Sequence, residues 1–416
     1  MNNSNILREP PVALRWFVLS VVSIAMFGNY YVYDSISPLA DVLAKQLHFT
    51  DDNIGLLQGI YSFPNIIMVA IGGMIIDRIG TRKSNLLFSS LCMAGAFLTF
   101  VKGDLLTMAA GRLIFGLGAE SLIVSITTTL AKWFKGKELS FAFGLNLTIA
   151  RLGSFAALNS PTWAKSLYES WQGPLLISFL ASLLSVIAVL AYFFLDVWAR
   201  KVYILHEEQK QEKLVIKEAF KFGSAFWYIT LLCVTFYSAM FPFQTFAIKF
   251  FQEVHGVTRQ TAGFLSSILT LSAMIMTPFF GLLVDKIGHR AKLMILGSLL
   301  IIPVYLIMAY TKISLFIPMS IMGIAFSLIP AVMWPSVAYV VDEDKLGTAY
   351  GFMTMIQNIG LFITNILIGY VNEITKGYTA GMWIFSFFGI FGVLFGYLLL
   401  KSNRKSTKFD LEKPKF

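Results

Sequence analysis

Long apolar runs, broken by short clusters of charge, glycine or proline, recur along the whole chain. They fall at residues 16–40, 54–76, 85–101, 105–131, 140–164, 173–197, 225–250, 262–284, 292–311, 314–341, 347–371 and 378–400. An α-helix needs roughly 20 apolar residues to cross a bilayer core, and each run comes close to or exceeds that length. The pattern predicts an all-α membrane protein with 12 transmembrane helices and the lipid bilayer as its solvent. Twelve crossings occupy about 240 positions, which leaves only short loops in a chain of 416 residues. Residues 1–14 are too short and too polar for a cleavable signal peptide, so the first helix is expected to stay in the mature protein.

Composition strengthens the membrane assignment. The chain is 56% hydrophobic and 13% charged, with a mean hydropathy of +0.71, whereas an average soluble chain is about 25% charged. A soluble fold is excluded, because so apolar a chain has too little polar surface to face water. The net charge of +10 sits in short clusters between the apolar runs. That distribution sets membrane topology and does not form a nucleic-acid-binding stripe. Counted over alternate loops, Lys and Arg number 24 on one side and 7 on the other, which places both termini in the cytoplasm. Cys92 and Cys233 lie inside apolar runs and imply no disulfide framework. The four histidines lack ligand spacing, so no metal site and no cofactor are expected. No extramembrane segment holds a nucleophile with a base or a phosphate loop, and the chain is not expected to be an enzyme.

The chain also repeats itself. Gly73, Asp77, Gly80 and Arg82 recur as Gly281, Asp285, Gly288 and Arg290 at a constant offset of 208 residues, half the length. A match at one offset in two equivalent loops indicates a duplication into two pseudo-symmetric six-helix bundles. The expected domains are a first bundle at 1–198, a cytoplasmic linker at 199–224 with amphipathic helical character, a second bundle at 225–400 and a cytoplasmic tail at 401–416. In the repeated loops glycine allows close helix approach and a turn, and aspartate can pair with arginine or face a helix N-terminus. Asp77, Arg78 and Arg82, with Asp285 and Arg290, are therefore candidates for a gating clasp. Simple enforcement of topology by the arginines is the alternative.

These loops resemble the signature loop of the major facilitator superfamily. Gly111, Arg112, Gly116 and Gly118 resemble that superfamily's Arg-x-x-x-Gly-x-Gly pattern, which adds Arg112 to the gating candidates. The resemblance implies two six-helix bundles around a central cavity, worked by alternating access.

Within the membrane, Glu120 and Arg151 stand at similar mid-depth on neighbouring spans. A charge at the bilayer centre costs about 2.5–3.5 kcal/mol on insertion scales, so opposite charges at one depth should face each other or a wet cavity. A salt bridge joining the two spans is one reading, although a buried pair adds little net stability. The other is a receptor for a zwitterion, in which Arg151 offers its planar fork to a carboxylate and Glu120 accepts from an ammonium. Tyr30, Tyr33, Asp34, Tyr61, Asn146, Asn159, Tyr237, Gln244, Trp334, Gln357 and Asn358 are the polar and aromatic residues expected around them. Asp34 is expected near the outer surface and hydrated.

A closer resemblance rests on Tyr33-Asp34, Tyr61-Ser62-Phe63-Pro64-Asn65, Gly118-Ala119-Glu120-Ser121-Leu122, Trp133-Phe134-Lys135-Gly136-Lys137-Glu138-Leu139, Ala150-Arg151-Leu152-Gly153-Ser154, Phe241-Pro242-Phe243, Trp334-Pro335 and Leu346-Gly347-Thr348-Ala349-Tyr350-Gly351-Phe352. These stretches look like the lysosomal dipeptide-uniporter family of that superfamily. The resemblance implies dipeptide transport as a uniporter, with Glu120 and Arg151 holding the amino and carboxyl ends. Tyr33, Asp34, Tyr61, Tyr237, Trp334 and Asn358 are the further substrate-site candidates. Residues 1–14 carry no acidic dileucine signal, and the compact loops resemble a bacterial relative, which points to the plasma membrane and a monomer. A proton-coupled carrier of other small organic anions or peptides, with Glu120 or Asp34 titrating, is the rival within transport. A non-transporting receptor or scaffold is the rival outside it.

Overall fold

The computed structural model describes residues 9–134, 138–205 and 216–414. Helices account for nearly all of it: α1 (Val12–Asp34), α2 (Ala40–Leu47), α3 (Asp51–Gly59), α4 (Ser62–Val101), α5 (Leu105–Phe134), α6 (Leu139–Leu158), α7 (Ser160–Trp163) and α8 (Gln172–Val202) precede the linker. After it come α9 (Ile216–Ala219), α10 (Ser224–His255), α11 (Arg259–Ile287), α12 (Arg290–Tyr310), α13 (Phe316–Val340), α14 (Leu346–Thr375) and α15 (Thr379–Lys405). There is no β-strand among the described residues. Hydrocarbon cannot hydrogen-bond a backbone N–H or C=O, and a helix satisfies both within one segment.

Eleven helical stretches, not 12, are long and apolar enough to cross a bilayer among the described residues. The difference lies in α4, where the two spans expected at 54–76 and 85–101 run on as one 40-residue helix. Gly80 interrupts it with φ 77° and ψ 159°. A straight helix of that length would measure ~60 Å, twice a ~30 Å bilayer core. Gly80 supplies the break because a residue with a Cβ rarely adopts positive φ.

Two clusters of buried apolar side chains hold the helices together. One draws only on residues between Val18 and Ala199. The other is built mainly from α10 to α15 but also takes in Ile36, Leu39, Leu43, Leu57, Leu158 and Trp171 from the first half. The halves thus share a core at the end carrying α2 and α3 and keep separate cores elsewhere. Most of the expected linker helix, residues 206–215, lies outside the described residues. On either side of them α8 ends at Val202 and α9 is a single turn.

The expected tail at 401–416 is partly structured. α15 continues to Lys405, and the residues beyond it fold back onto the repeated loop of the second half. The His289 amide donates to the Glu412 carbonyl at 3.0 Å and the Arg290 amide to the Leu411 carbonyl at 3.0 Å, while Leu411 is fully buried. Hydrogen bonds from the Asn403 side chain and the Glu412 amide hold the Asp410 carboxyl below its ordinary range. Gly281 does not provide the close helix approach expected of it, since a Cβ there would meet nothing within 4 Å. Gly288 is the tight position instead, with φ 68° and ψ −128°, and a Cβ on it would lie 2.4 Å from the Glu412 carbonyl oxygen. Gly288→Ala should therefore destabilise the purified protein by about 1–3 kcal/mol. An unchanged thermal midpoint in detergent would show that the tail yields at no cost.

Candidate functional site

The site is organised around Arg112 of α5, which is 1% exposed. Its Nη1 donates to the Val32 carbonyl at 2.9 Å, its Nη2 to the Tyr33 carbonyl at 3.2 Å and to Gln58 Oε1 at 2.9 Å, and its Nε to the Leu57 carbonyl at 3.2 Å. Val32 and Tyr33 close α1, and Leu57 and Gln58 lie in the last turn of α3, where helix carbonyls lack intrahelical partners and the dipole favours a cation. One planar fork thus ties two helix ends to α5. Arg112 sits beside the cavity, and its contacts brace two helix ends against α5.

One turn further along α5, a Cβ at Gly116 would lie 2.2 Å from the Tyr61 carbonyl oxygen, so only glycine permits this approach to the start of α4. The approach lays the Tyr61 ring beside Phe115, with centroids 5.3 Å apart, and lets its hydroxyl donate to Glu120 Oε1 at 3.2 Å. Glu120 follows Arg112 by eight residues on the same helix, about 12 Å of rise. Asn29 donates to the Ala119 carbonyl at 3.2 Å and fixes α1 against this turn.

Glu120 faces a cavity of about 250 Å³ that Arg151 also lines. Among the described residues the two form no ion pair with each other, so the interhelix salt bridge is not the arrangement adopted. The Arg151 guanidinium instead lies over the Tyr30 ring at 5.8 Å and the Phe326 ring at 5.6 Å. All eight expected substrate-site residues, Glu120, Arg151, Tyr33, Asp34, Tyr61, Tyr237, Trp334 and Asn358, line this one cavity, as do Tyr30, Gln244 and Gln357. Asn146 and Asn159 do not: Asn146 donates to the Ser23 hydroxyl at 2.8 Å and Asn159 to the Phe155 carbonyl at 2.9 Å. Asp34 is 6% exposed and belongs to the cavity wall, contrary to the expected hydrated position near the surface.

The lining divides by half. Every charged member, Asp34, Glu120 and Arg151, comes from the first half, and the second contributes only neutral groups such as Tyr237, Phe241, Trp334, Gln357 and Asn358. On the neutral side the Trp334 indole N–H donates to the Tyr237 hydroxyl at 3.0 Å, and the Tyr350 hydroxyl donates to the Trp334 carbonyl at 3.2 Å. Asn29, Ser154, Thr270 and Thr354 also line the cavity and are not evident from the sequence. Small polar residues in a long apolar helix carry no signal that separates lining from packing.

Comparison with known proteins gives this architecture a family. The model of the Major Facilitator Superfamily matches residues 22–258 and 231–415. The chain belongs to that superfamily. It is 36% identical over 383 residues to the human lysosomal dipeptide transporter MFSD1, covering 88% of this chain and 82% of the relative. It is 35% identical over 383 residues to the Bos taurus protein of the same name, covering 88% and 81%. Among solved structures, a bacterial homolog of the human lysosomal transporter Spinster superposes with a TM-score of 0.76 at 16% identity, covering 95% of this chain and 99% of that one. The nucleoside transporter NupG gives 0.73 at 16% identity, covering 94% of this chain and 100% of that one. This facilitator is a membrane transporter and not an enzyme.

The repeated loops of the facilitator end in two different charge clusters. In the first half Arg82 approaches Asp196 of α8 at 3.8 Å, and the same carboxylate takes Lys132 at 2.8 Å and Arg200 at 2.8 Å and accepts from the Tyr192 hydroxyl at 3.3 Å. Asp196 is absent from the sequence-based candidates, although an acid at the end of a span four residues before Arg200 is a usable signal. Asp77 and Arg78 lie on α4 just before the Gly80 break. In the second half Asp285 pairs with Arg290 at 2.9 Å, and the Arg290 guanidinium lies over Tyr339 at 4.4 Å and donates to the Lys413 carbonyl at 3.2 Å.

Among the described residues, the ion pairs that join the two halves lie at the opposite end, where Arg259 grips Asp41 through bonds of 3.1 and 2.5 Å and Lys249 pairs with Asp51. The Asp196 cluster generates a stability prediction. Asp196 is fully buried and takes the 1% exposed Lys132 at 2.8 Å together with Arg82 and Arg200, so Asp196→Asn should cost about 3–5 kcal/mol by removing a carboxylate that three cations share. Adding Lys132→Met should recover most of the loss in thermal midpoint, and a double variant no better than the single one would contradict this reading.

Proposed function

We propose that this facilitator carries dipeptides across the membrane as a uniporter by alternating access. Glu120 receives the ammonium end and Arg151 the carboxylate end. The observation that carries the proposal is the pair of opposite charges on one cavity, each held by aromatic neighbours and neither neutralising the other. Relatives that are 35–36% identical are lysosomal dipeptide transporters, which supports the substrate class. A cavity of about 250 Å³ lies just below the usual ligand range of ~300–1,000 Å³, which favours a short peptide. The neutral wall of the second half faces the side chains, and such a wall tolerates many of them.

Orientation follows from the loop charges. With the 24 basic residues inside, both termini are cytoplasmic in a plasma membrane, and α4 makes two crossings about Gly80 for 12 in all. The Asp41–Arg259 and Asp51–Lys249 pairs then close the outer mouth, as in an inward-facing carrier. The Asp77 and Asp285 loops act at the inner mouth by meeting each other in the alternate state, whereas the Asp285–Arg290 pair of the present state lies within one loop.

A free dipeptide should stabilise the purified protein in a thermal-shift assay, while its N-acetyl form and its amide should each bind more weakly by about 1–3 kcal/mol, the cost of a desolvated group left unpaired. Arg151→Lys should lose the preference for the free carboxylate, because an ammonium cannot reproduce the bidentate fork. Equal stabilisation by free and blocked ligands would sink the proposal. At the outer mouth, Asp41→Asn should raise the rate at which an outside-applied thiol reagent labels Gln357→Cys in the cavity, since a bond made in one state biases only that state. The same labelling rate with Asp41 intact or replaced would remove the outer pair from the gate.

A further inference from the structure

We propose that Phe326 is a positioning residue for Arg151, a ring from the second half that orients the guanidinium of the first half for its carboxylate ligand. The inference rests on the dipeptide reading and adds to it a residue outside the cavity lining. Among the described residues no carboxylate forms an ion pair with Arg151. Its ring contacts are Tyr30, at 5.8 Å, and Phe326, at 5.6 Å from guanidinium carbon to centroid. Tyr30 stands on α1 in the same half as Arg151, whereas Phe326 stands on α13 in the other.

Phe326 is itself braced. It is 3% exposed, with Phe236 stacked at 6.3 Å and Phe241 edge-on at 5.9 Å. Phe241 stacks on Tyr237 at 5.6 Å, and the Tyr237 hydroxyl takes the Trp334 indole N–H. The ring against Arg151 is therefore the end of a fixed aromatic series. A guanidinium uses its flat face for a ring and its N–H edges for a bidentate carboxylate, so the two contacts do not compete. Rings against that face restrict the terminal torsions of the side chain and leave the fork free to donate. A leucine at 326 would fill much of the same space but offer no negative π face to the cation.

The origin of Phe326 in the second half has a mechanical consequence. Its contact with Arg151 exists only while the halves approach each other at cavity level. A rocking motion that parts them there removes the ring, so carboxylate affinity is linked to the approach of the halves through one side chain.

The test uses the full-length purified protein with alanyl-alanine and its C-terminal amide as probes, their affinities read by thermal shift and by competition in counterflow. In Phe326→Leu, affinity for the free acid should fall about 5- to 30-fold while affinity for the amide is unchanged, and Phe326→Tyr should keep the acid-to-amide ratio of the unaltered protein. A parallel loss for acid and amide, which simple packing would produce, overturns the inference, as does a Phe326→Leu protein with the unaltered ratio. If Phe326→Leu does not fold, Phe326→Met against Phe326→Tyr decides: a ratio lowered only in Met supports the proposal, and equal ratios overturn it. An unaltered protein that binds acid and amide equally overturns the dipeptide reading beneath and this inference with it, whereas discrimination that persists in Phe326→Leu overturns this inference alone.

Discussion

Hydrocarbon cannot hydrate a charge, and that single constraint arranges the ionisable side chains of this transporter. Each buried charge must find its counter-charge or its hydrogen bonds inside the protein. Arg112 finds four uncharged oxygens at two helix ends. Asp196 collects Lys132, Arg200 and Arg82. Arg290 takes Asp285, a tail carbonyl and a ring face. Glu120 and Arg151 depart from the pattern, since each is buttressed by aromatic residues and both look into the same cavity without pairing. A site left electrically incomplete is a site for a ligand that completes it, and in the proposed mechanism a dipeptide supplies both missing charges at once.

The unequal halves give this incompleteness a direction. The charged side chains of the cavity all come from the first half, and the second half contributes a neutral wall of aromatic and amide groups. In the proposed mechanism a substrate held by its ends on one bundle and by its side chains on the other would sense the distance between bundles, which is the quantity that alternating access changes. The aromatic contacts that cross the cavity, Tyr33 against Phe241 at 6.0 Å and Arg151 over Phe326 at 5.6 Å, depend on that same distance. Cation–π contacts of this kind are worth about 0.5–2 kcal/mol, enough to bias a two-state equilibrium without locking it.

The duplication itself is imperfect in an informative way. Both repeated loops carry an arginine at the same position, yet the first reaches the Asp196 carboxylate on α8 of its own half and the second is covered by the C-terminal segment. Gly288 makes that docking possible, because its positive φ and missing Cβ leave room for the Glu412 carbonyl. Glu412 also accepts from the Ala291 amide at 3.0 Å, at the positive end of α12. The same loop motif thus serves two structurally different clusters.

The helical membrane fold and the cavity candidates were legible in the sequence because bilayer thickness sets the length of apolar runs and because an intramembrane charge is conspicuous by its cost. Glu120, Arg151 and Asp34 stood out for that reason. The count of 12 separate helices was not fixed that way, since a hydropathy pattern cannot tell two helices from one helix broken at Gly80. Tertiary structure alone decided that Arg112 would cap helix ends, that Asp196 would gather three cations, that Asp34 would turn inward, and that Phe326 would meet Arg151. Those outcomes depend on which faces of distant helices come together. Phe326 is one of 38 phenylalanines in the chain, with an apolar side chain suited equally to lipid, core or cation until packing assigns its neighbour.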